Sequence, residues 1–408
     1  MSDGLDAEAA RALARRPAIA ALLAALDGAG EETRIVGGAI RNALIGRPVH
    51  EIDLATTALP DEAARRARAA GFRTVPTGIE HGTLTVIARG EPFEVTTLRE
   101  DVETDGRHAI VRFGRDFAAD ATRRDFTINA LSLGRDGRVR DYCEGLPDLA
   151  ARRIRFIGDA ATRIREDYLR ILRFFRFHAE YGIGPLDREG LAAAIAGREG
   201  LARLSRERIR AELLKLVAAP RAAETASTME RAGLLDRLVS CLGDAGRLAR
   251  SEGREAVWRL AALLVRSRDD ADRLQETLRL SKAEHDRLSA YAEALVRFVS
   301  LGRIDEAEIR RTVFLHGADA VAAVLAATTD EPRPRVTDAA RALADRMASG
   351  ETPPPRFPLT GAALIAAGEA EPGPALGRRL AKARAAWLAA GCPEVWSEGE
   401  TRTSRSAV

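Results

Sequence analysis

The chain has 408 residues, 46% hydrophobic and 30% charged, and its 63 lysines and arginines against 60 aspartates and glutamates leave a formal charge of +3. That length supports two or more domains, and the interspersed charge permits an anionic partner without demanding one. Cys143, Cys241 and Cys392 form an odd, widely spaced set without metal-ligand spacing, which fits a reducing compartment better than a disulfide framework. The N-terminus carries acids and arginines where a signal peptide would be apolar, and no run approaches the roughly 20 apolar residues of a membrane span, so a cytoplasmic protein without membrane contact is expected.

Helical periodicity opens the chain, with apolar positions at Leu13, Ile19, Leu22, Leu23 and Leu26, until DGAGEE breaks it. From Thr33 to about Tyr142, short β-like runs (TRIVGG, EIDLATT, GTLTVIA, PFEVTTL, ALSLG, RVRDY) alternate with helical pieces such as PDEAARRARAAG, which predicts an α/β or α+β module. Beyond Pro147 the β signals nearly vanish and amphipathic helices follow one another, among them IREDYLRILRFFRFHAEYG and KAEHDRLSAYAEALVRFVS. The three prolines of SGETPPPRFP predict an extended linker.

Within the mixed module, IVGGAIRNALIG reads as strand, Gly37-Gly38 turn and helix. Glycines let a backbone approach an anion closely and the first helical N–H groups point at it, so Gly37 and Gly38 are a candidate phosphate seat, with Arg41 adding charge. About ten residues on, VHEIDLATT places Glu51 and Asp53 at alternate positions of an expected strand, on one face, where two carboxylates suit divalent metal ions.

The run VGGAIRNALIGRPVHEIDLATT strongly resembles the signature of the class II tRNA nucleotidyltransferases, the CCA-adding enzymes and related bacterial poly(A) polymerases. That family carries Asp-x-Asp where this chain has Glu51 and Asp53, and the longer glutamate side chain displaces the first carboxylate by about a bond length. The resemblance implies a third catalytic carboxylate, for which Glu94 in PFEVTTLRED is the candidate. It also implies that Arg124, Asp125 and Asn129 of TRRDFTINAL meet the ribose and triphosphate, and that the charged segment from Leu98 to Ala121 is a loop. In IREDYLRILRFFRFHAEYG, Glu166, Asp167, Arg170 and Arg173 recur at spacings of three and four along an expected single helix. The family reading makes Asp167 and Arg170 readers of the base edge, with Arg173 and, on the later helix RERIRAELLKL, Arg208 near the nucleotide.

The expected fold is therefore α+β: an N-terminal helical segment over 1–32, a polymerase-β-like nucleotidyltransferase head over 33–146, and an all-α neck (147–217), body (218–350) and tail (351–408). The expected activity is template-independent addition of CCA to tRNA from CTP and ATP with Mg²⁺, without an obligate protein partner. An A-adding enzyme or poly(A) polymerase of the same family is the alternative, as is an RNA-binding homologue impaired by Glu51. The basic run Arg378, Arg379, Lys382 and Arg384 is a candidate tRNA contact, and the His285-Asp286 dipeptide is expected on a helix surface rather than at a metal.

Overall fold

In the computed structural model, the described residues are 4–78, 82–104 and 109–396. Residues 105–108 of the charged segment and 397–408 of the tail lie outside them. The chain divides into two units, 1–204 and 205–408.

The first unit opens with α1 (Ala7–Arg15), capped by the Asp6 carboxylate accepting the Ala9 N–H at 2.8 Å, and α2 (Pro17–Leu26). Pro17 supplies the fixed φ of a first helical turn, and the extended Arg16 before it splits the helical opening in two. The apolar positions Leu13, Ile19, Leu22, Leu23 and Leu26 are all buried.

Then follow β1 (Thr33–Val36), α3 (Gly38–Leu44), β2 (Asp53–Thr56), α4 (Pro60–Ala69), β3 (Arg73–Gly78), β4 (Thr83–Ala88) and β5 (Glu91–Thr97). The charged segment read as a loop instead contributes an antiparallel pair, β6 (Arg99–Thr104) and β7 (Ala109–Phe113), before α5 (Phe117–Thr122). With β8 (Leu131–Gly134) and β9 (Val139–Asp141), seven strands form one sheet in the order β3-β4-β5-β2-β1-β8-β9. Its neighbours run antiparallel except β2 and β5, which are parallel and place Asp53 opposite Glu94.

The unit continues with α6 (Gly145–Ala150), α7 (Ala160–Glu166), α8 (Leu169–Tyr181) and α9 (Arg188–Ala196), followed by a short 3-10 helix over Arg198–Arg203. Phe126 anchors them, its ring centroid 4.9 Å from Phe156 and 5.1 Å from Phe177, with Phe156 a further 5.3 Å from Phe174. Such clusters combine a large buried apolar area with favourable ring geometry. The fully buried Asp148 is matched by the Thr127 hydroxyl at 2.7 Å and Arg155 at 2.9 Å, as burial of a carboxylate requires.

The second unit begins with α10 (Arg206–Ala218), and among the described residues its strands are limited to a two-residue parallel pairing of Arg303–Ile304 with Arg335–Val336. Its helix Ala256–Leu264 is buried continuously from Trp258 to Leu264. His285 sits in the first turns of the helix Lys282–Ser300, where Nε2 lies 2.7 Å from Asp272 Oδ1. Residues 353–360 form neither helix nor strand, consistent with the three prolines there, and the following helices close on Trp387, which packs against Phe314 and Phe357.

Candidate active site

The Asp53 and Glu94 side chains start from register partners on adjacent parallel strands, about 4.8 Å apart in the pairing direction. They line a cleft of about 490 Å³ together with Arg16, His50 and Glu51. Partial burial, then the negative charges of Glu94 and Glu51, hold the Asp53 carboxyl above the usual carboxylate range, while Arg124 pulls it down. Asp53 nonetheless stays solvent-accessible at the strand's edge, as do Glu51 and Glu94.

Glu51 is not on the strand that the alternation predicts. β2 starts at Asp53 because β1 ends where Gly37 turns away at φ 71°, and because β5, although it runs on to Glu91, carries Pro92, which has no N–H to give. Glu51 reaches the cleft from the preceding coil. Among the described residues no three His, Cys, Asp or Glu side chains form a ready-made metal cage. The Asp53 and Glu94 carboxylates facing one cleft do fit a small divalent cation, which commonly binds through one or two carboxylates and completes its shell with waters and substrate phosphates.

Gly37, between β1 and α3, has φ 71° and ψ −127°, a conformation that any Cβ would strain, and an added Cβ would lie 3.1 Å from Arg124 Nη1. Its own N–H donates to the Leu131 carbonyl at 3.0 Å. Gly38 opens α3, and Arg41 in that helix is buried rather than presented to a ligand. Arg41 Nη2 donates to the Tyr181 hydroxyl at 2.8 Å and to Asn42 Oδ1 at 3.0 Å, and Nη1 donates to Asn129 Oδ1. Burial lowers its pKa, against the pull of Tyr181.

Asn129 passes the connection on, its Nδ2 donating to Asp125 Oδ1 at 2.9 Å. The same Oδ1 accepts the Phe126 N–H at 2.9 Å, and Oδ2 accepts from Arg173 Nε at 2.7 Å and Nη2 at 2.6 Å. Burial alone would raise the Asp125 pKa; the Arg173 charge and the bond from Asn129 outweigh it and hold it below the usual range. Asp125, Asn129, Arg41 and Arg173 are therefore one polar network binding α3 and the segment after α5 to α8. Arg124 stands at its edge, donating to Asp120 Oδ2 at 3.1 Å, with its carbonyl accepting from Arg163 Nη2 at 2.5 Å.

The single helix expected across Glu166 to Arg173 is broken. Asp167 is extended (φ −152°, ψ 108°), and its Oδ1 accepts the Leu169 N–H at 3.0 Å, a local bond that competes with helix continuation. Glu166 ends α7 and holds Arg163 at 2.9 Å and Arg170 at 2.5 Å, so Asp167 and Arg170 stand on either side of a helix junction rather than on one face. Arg208 lies on α10 in the second unit and is exposed.

The first unit thus brings together Glu51, Asp53 and Glu94 at one cleft, and Arg41, Asp125, Asn129 and Arg173 in one network. Sequence reading missed Arg16, which sits between Arg15 and Pro17 in an alanine-rich stretch with no local pattern to mark it. It also missed Tyr181, which the four-residue spacing Arg173, Phe177, Tyr181 does mark as sharing the face of α8 that meets Arg41.

Residues 33–155 match the sequence model of the poly A polymerase head domain, and residues 185–243 match that of a probable RNA and SrmB-binding site of polymerase A. The mitochondrial CCA tRNA nucleotidyltransferase 1 of Danio rerio is 41% identical over 268 residues, 62% of this chain and 61% of that enzyme. A CCA-adding enzyme of Leuconostoc citreum is 41% identical over 216 residues, 52% of each chain. The chain thus matches less than two thirds of the length of either relative. A CCA-adding enzyme of Bacillus stearothermophilus, solved with CTP, superposes with a TM-score of 0.71 at 26% identity over 92% of this chain and 94% of that one. A Thermotoga maritima CCA-adding enzyme solved with tRNA shares the fold at 17% identity, TM-score 0.69, covering 97% of each chain. Among the described residues no helix is long and apolar enough to cross a membrane. With its antiparallel head sheet interrupted by one parallel carboxylate-bearing pair, the chain is similar over residues 33–155 to the poly A polymerase head domain, and over 62% of its length to a CCA tRNA nucleotidyltransferase.

Proposed function

We propose that this protein is a template-independent nucleotidyltransferase that completes the 3′ end of tRNA with CCA, drawing on CTP and ATP. The observation that carries the reading is the pairing of Asp53 with Glu94 across the parallel strands β2 and β5, in a cleft where like charges keep Asp53 poorly compensated. The names of the relatives and of the CTP-bound structural neighbour support it. Asp53, Glu94 and Glu51 would hold Mg²⁺, which when bound supplies charge neutralisation at the reacting phosphate and a more acidic attacking hydroxyl.

The chain's own residues divide the remaining work. Gly37 and Gly38 let the triphosphate approach the backbone, and Arg124 is the nearest guanidinium to that turn. Arg41, being buried, supports the seat from behind through Asn129. Asp125 and Asn129 select ribose, the 2′-OH exchanging for one of the Arg173 donors on Asp125. Asp167 and Arg170 read the base: a carboxylate accepts from an exocyclic amine and a guanidinium donates to a ring nitrogen, a pairing that cytosine and adenine share. Guanine and uracil present a carbonyl instead, and the unmatched polar groups reject them. The 3′-OH of tRNA attacks the α-phosphate of the bound nucleotide, and pyrophosphate leaves. Unpaired cysteines at 143, 241 and 392 suit a cytoplasmic setting.

The test supplies labelled CTP and ATP with Mg²⁺ to tRNA lacking its last three nucleotides. Two C followed by one A is the expected product. Incorporation of A alone moves the assignment to an A-adding or poly(A)-forming enzyme, and incorporation only by Glu51→Asp marks the natural glutamate as disabling.

A further inference from the structure

Tyr181 closes α8 outside every residue assigned a role above, yet it is held from two sides. Its hydroxyl accepts from Arg41 Nη2 at 2.8 Å, and its ring centroid lies 4.1 Å from the Arg41 guanidinium carbon and 4.8 Å from that of Arg47. Arg47 is itself anchored by Glu180, through the carboxylate and through the backbone carbonyl at 2.7 Å. Tyr181 thereby combines a hydrogen bond with two cation–π contacts on a half-buried ring.

What it holds has a direction. A guanidinium carries only donors, so Arg41 Nη1 obliges Asn129 to present its side-chain oxygen, and the amide nitrogen then faces Asp125 Oδ1 at 2.9 Å. Turning that amide over would set donors against donors at Arg41 and oxygen against oxygen at Asp125. The chain of contacts from Tyr181 through Arg41 to Asn129 therefore fixes which atom of Asn129 meets Asp125. Arg173 holds the other carboxylate oxygen from the same helix as Tyr181, four and eight residues along one face.

We propose that Tyr181 is a positioning residue for sugar selection: by clamping Arg41 it locks the Asn129 amide and, through it, the carboxylate that distinguishes ribonucleotides from deoxyribonucleotides. The inference rests on the reading of Asp125 and Asn129 as the ribose pair. Loss of the hydroxyl alone leaves Arg41 its bond to Asn42 and its ring contacts with α8 but removes the hydrogen bond that aims the guanidinium, so the Asn129 amide can turn and the preference for ribose relaxes.

The experiment measures equilibrium binding of CTP, dCTP and UTP to the full chain with Mg²⁺ and no RNA, by titration calorimetry, for the natural protein, Tyr181→Phe and Tyr181→Leu. The ratio of dCTP to CTP dissociation constants is expected to fall about threefold to tenfold in Tyr181→Phe, the span of one hydrogen bond removed, and further in Tyr181→Leu. The CTP to UTP ratio should stay where it was. If all three nucleotides weaken in proportion, Tyr181 is only structural and the proposal is overturned. Melting temperatures taken alongside identify a Leu variant that fails to fold, in which case the Phe ratio alone decides. A natural protein that binds CTP over dCTP but transfers nothing to tRNA ends the activity reading and leaves the ratio to decide this one. A natural protein that binds the two alike, or binds neither, overturns the inference whatever its activity.

Discussion

Replacing Asp53 by asparagine should abolish nucleotide transfer while making the fold more stable. Asp53 faces Glu94 one strand away, and at that spacing two like charges in a solvent-screened setting repel by about 1 kcal/mol. Glu51 adds to the repulsion and Arg124 offsets part of it, which leaves a net gain of about 0.5 to 1 kcal/mol, or about 1 to 3 °C in a chain of this size. The gain carries a pH signature. A carboxyl whose folded pKa is raised binds its proton more tightly in the folded state, so the natural protein loses stability as pH rises from the unfolded value through the folded one. The advantage of the asparagine is then complete at pH 7 and shrinks toward pH 4. Scanning calorimetry on both proteins without divalent cations reads this directly, and added Mg²⁺ should raise the melting temperature of the natural protein more than that of the variant. A variant less stable at pH 7, or an advantage that persists undiminished to pH 4, would refute the account of Asp53 as a poorly compensated charge.

Arg173→Met should cost about 3 to 5 kcal/mol, because it strands the buried Asp125 carboxylate, and Asp125→Asn in the same chain should recover part of that loss in calorimetry. The natural pair contributes stability above the usual carboxylate range and loses it as pH falls, since Asp125 has a lowered folded pKa; in Arg173→Met the direction should reverse. Gly37→Ala should lower stability by about 1 to 3 kcal/mol through its positive φ and should also weaken CTP binding in titration, since the new methyl displaces Arg124. Substituting the exposed Arg378, Lys382 and Arg384 together should leave CTP binding intact but flatten the salt dependence of tRNA binding, by a log–log slope of about 0.7 to 0.9 for each phosphate no longer neutralised; an unchanged slope excludes that helix from the RNA.

The head's strands and the cleft's carboxylates were legible because their signals are local: glycines at a turn, alternation in β5, a charged pair among apolar neighbours. What escaped was set by partners distant in sequence. Glu51 belongs to β2 by alternation alone, and only the Gly37 turn and Pro92 on the flanking strands explain why the ladder excludes it. Asp167 fits a helix by spacing, and its own carboxylate on the Leu169 N–H ends that helix. Arg41 reads as a phosphate ligand from its place after two glycines, but Tyr181 and Asn129, remote in the chain, draw it inward. Motif resemblance singled out these residues, while burial and hydrogen bonding decide which of them line the cleft and which hold the others.

The parallel contact of β2 with β5 has a consequence for how the protein comes into being. Every other adjacent pair in the sheet is antiparallel, and β3, β4 and β5 follow one another along the chain, so that side of the sheet can zip up locally. Asp53 and Glu94 meet only after a loop of roughly forty residues has closed around α4, β3 and β4, a search that costs chain entropy before any strand contact repays it. Recovery of transfer activity during refolding should therefore trail the return of helix and hairpin signals, making turnover a reporter of long-range strand pairing rather than of the local hairpins.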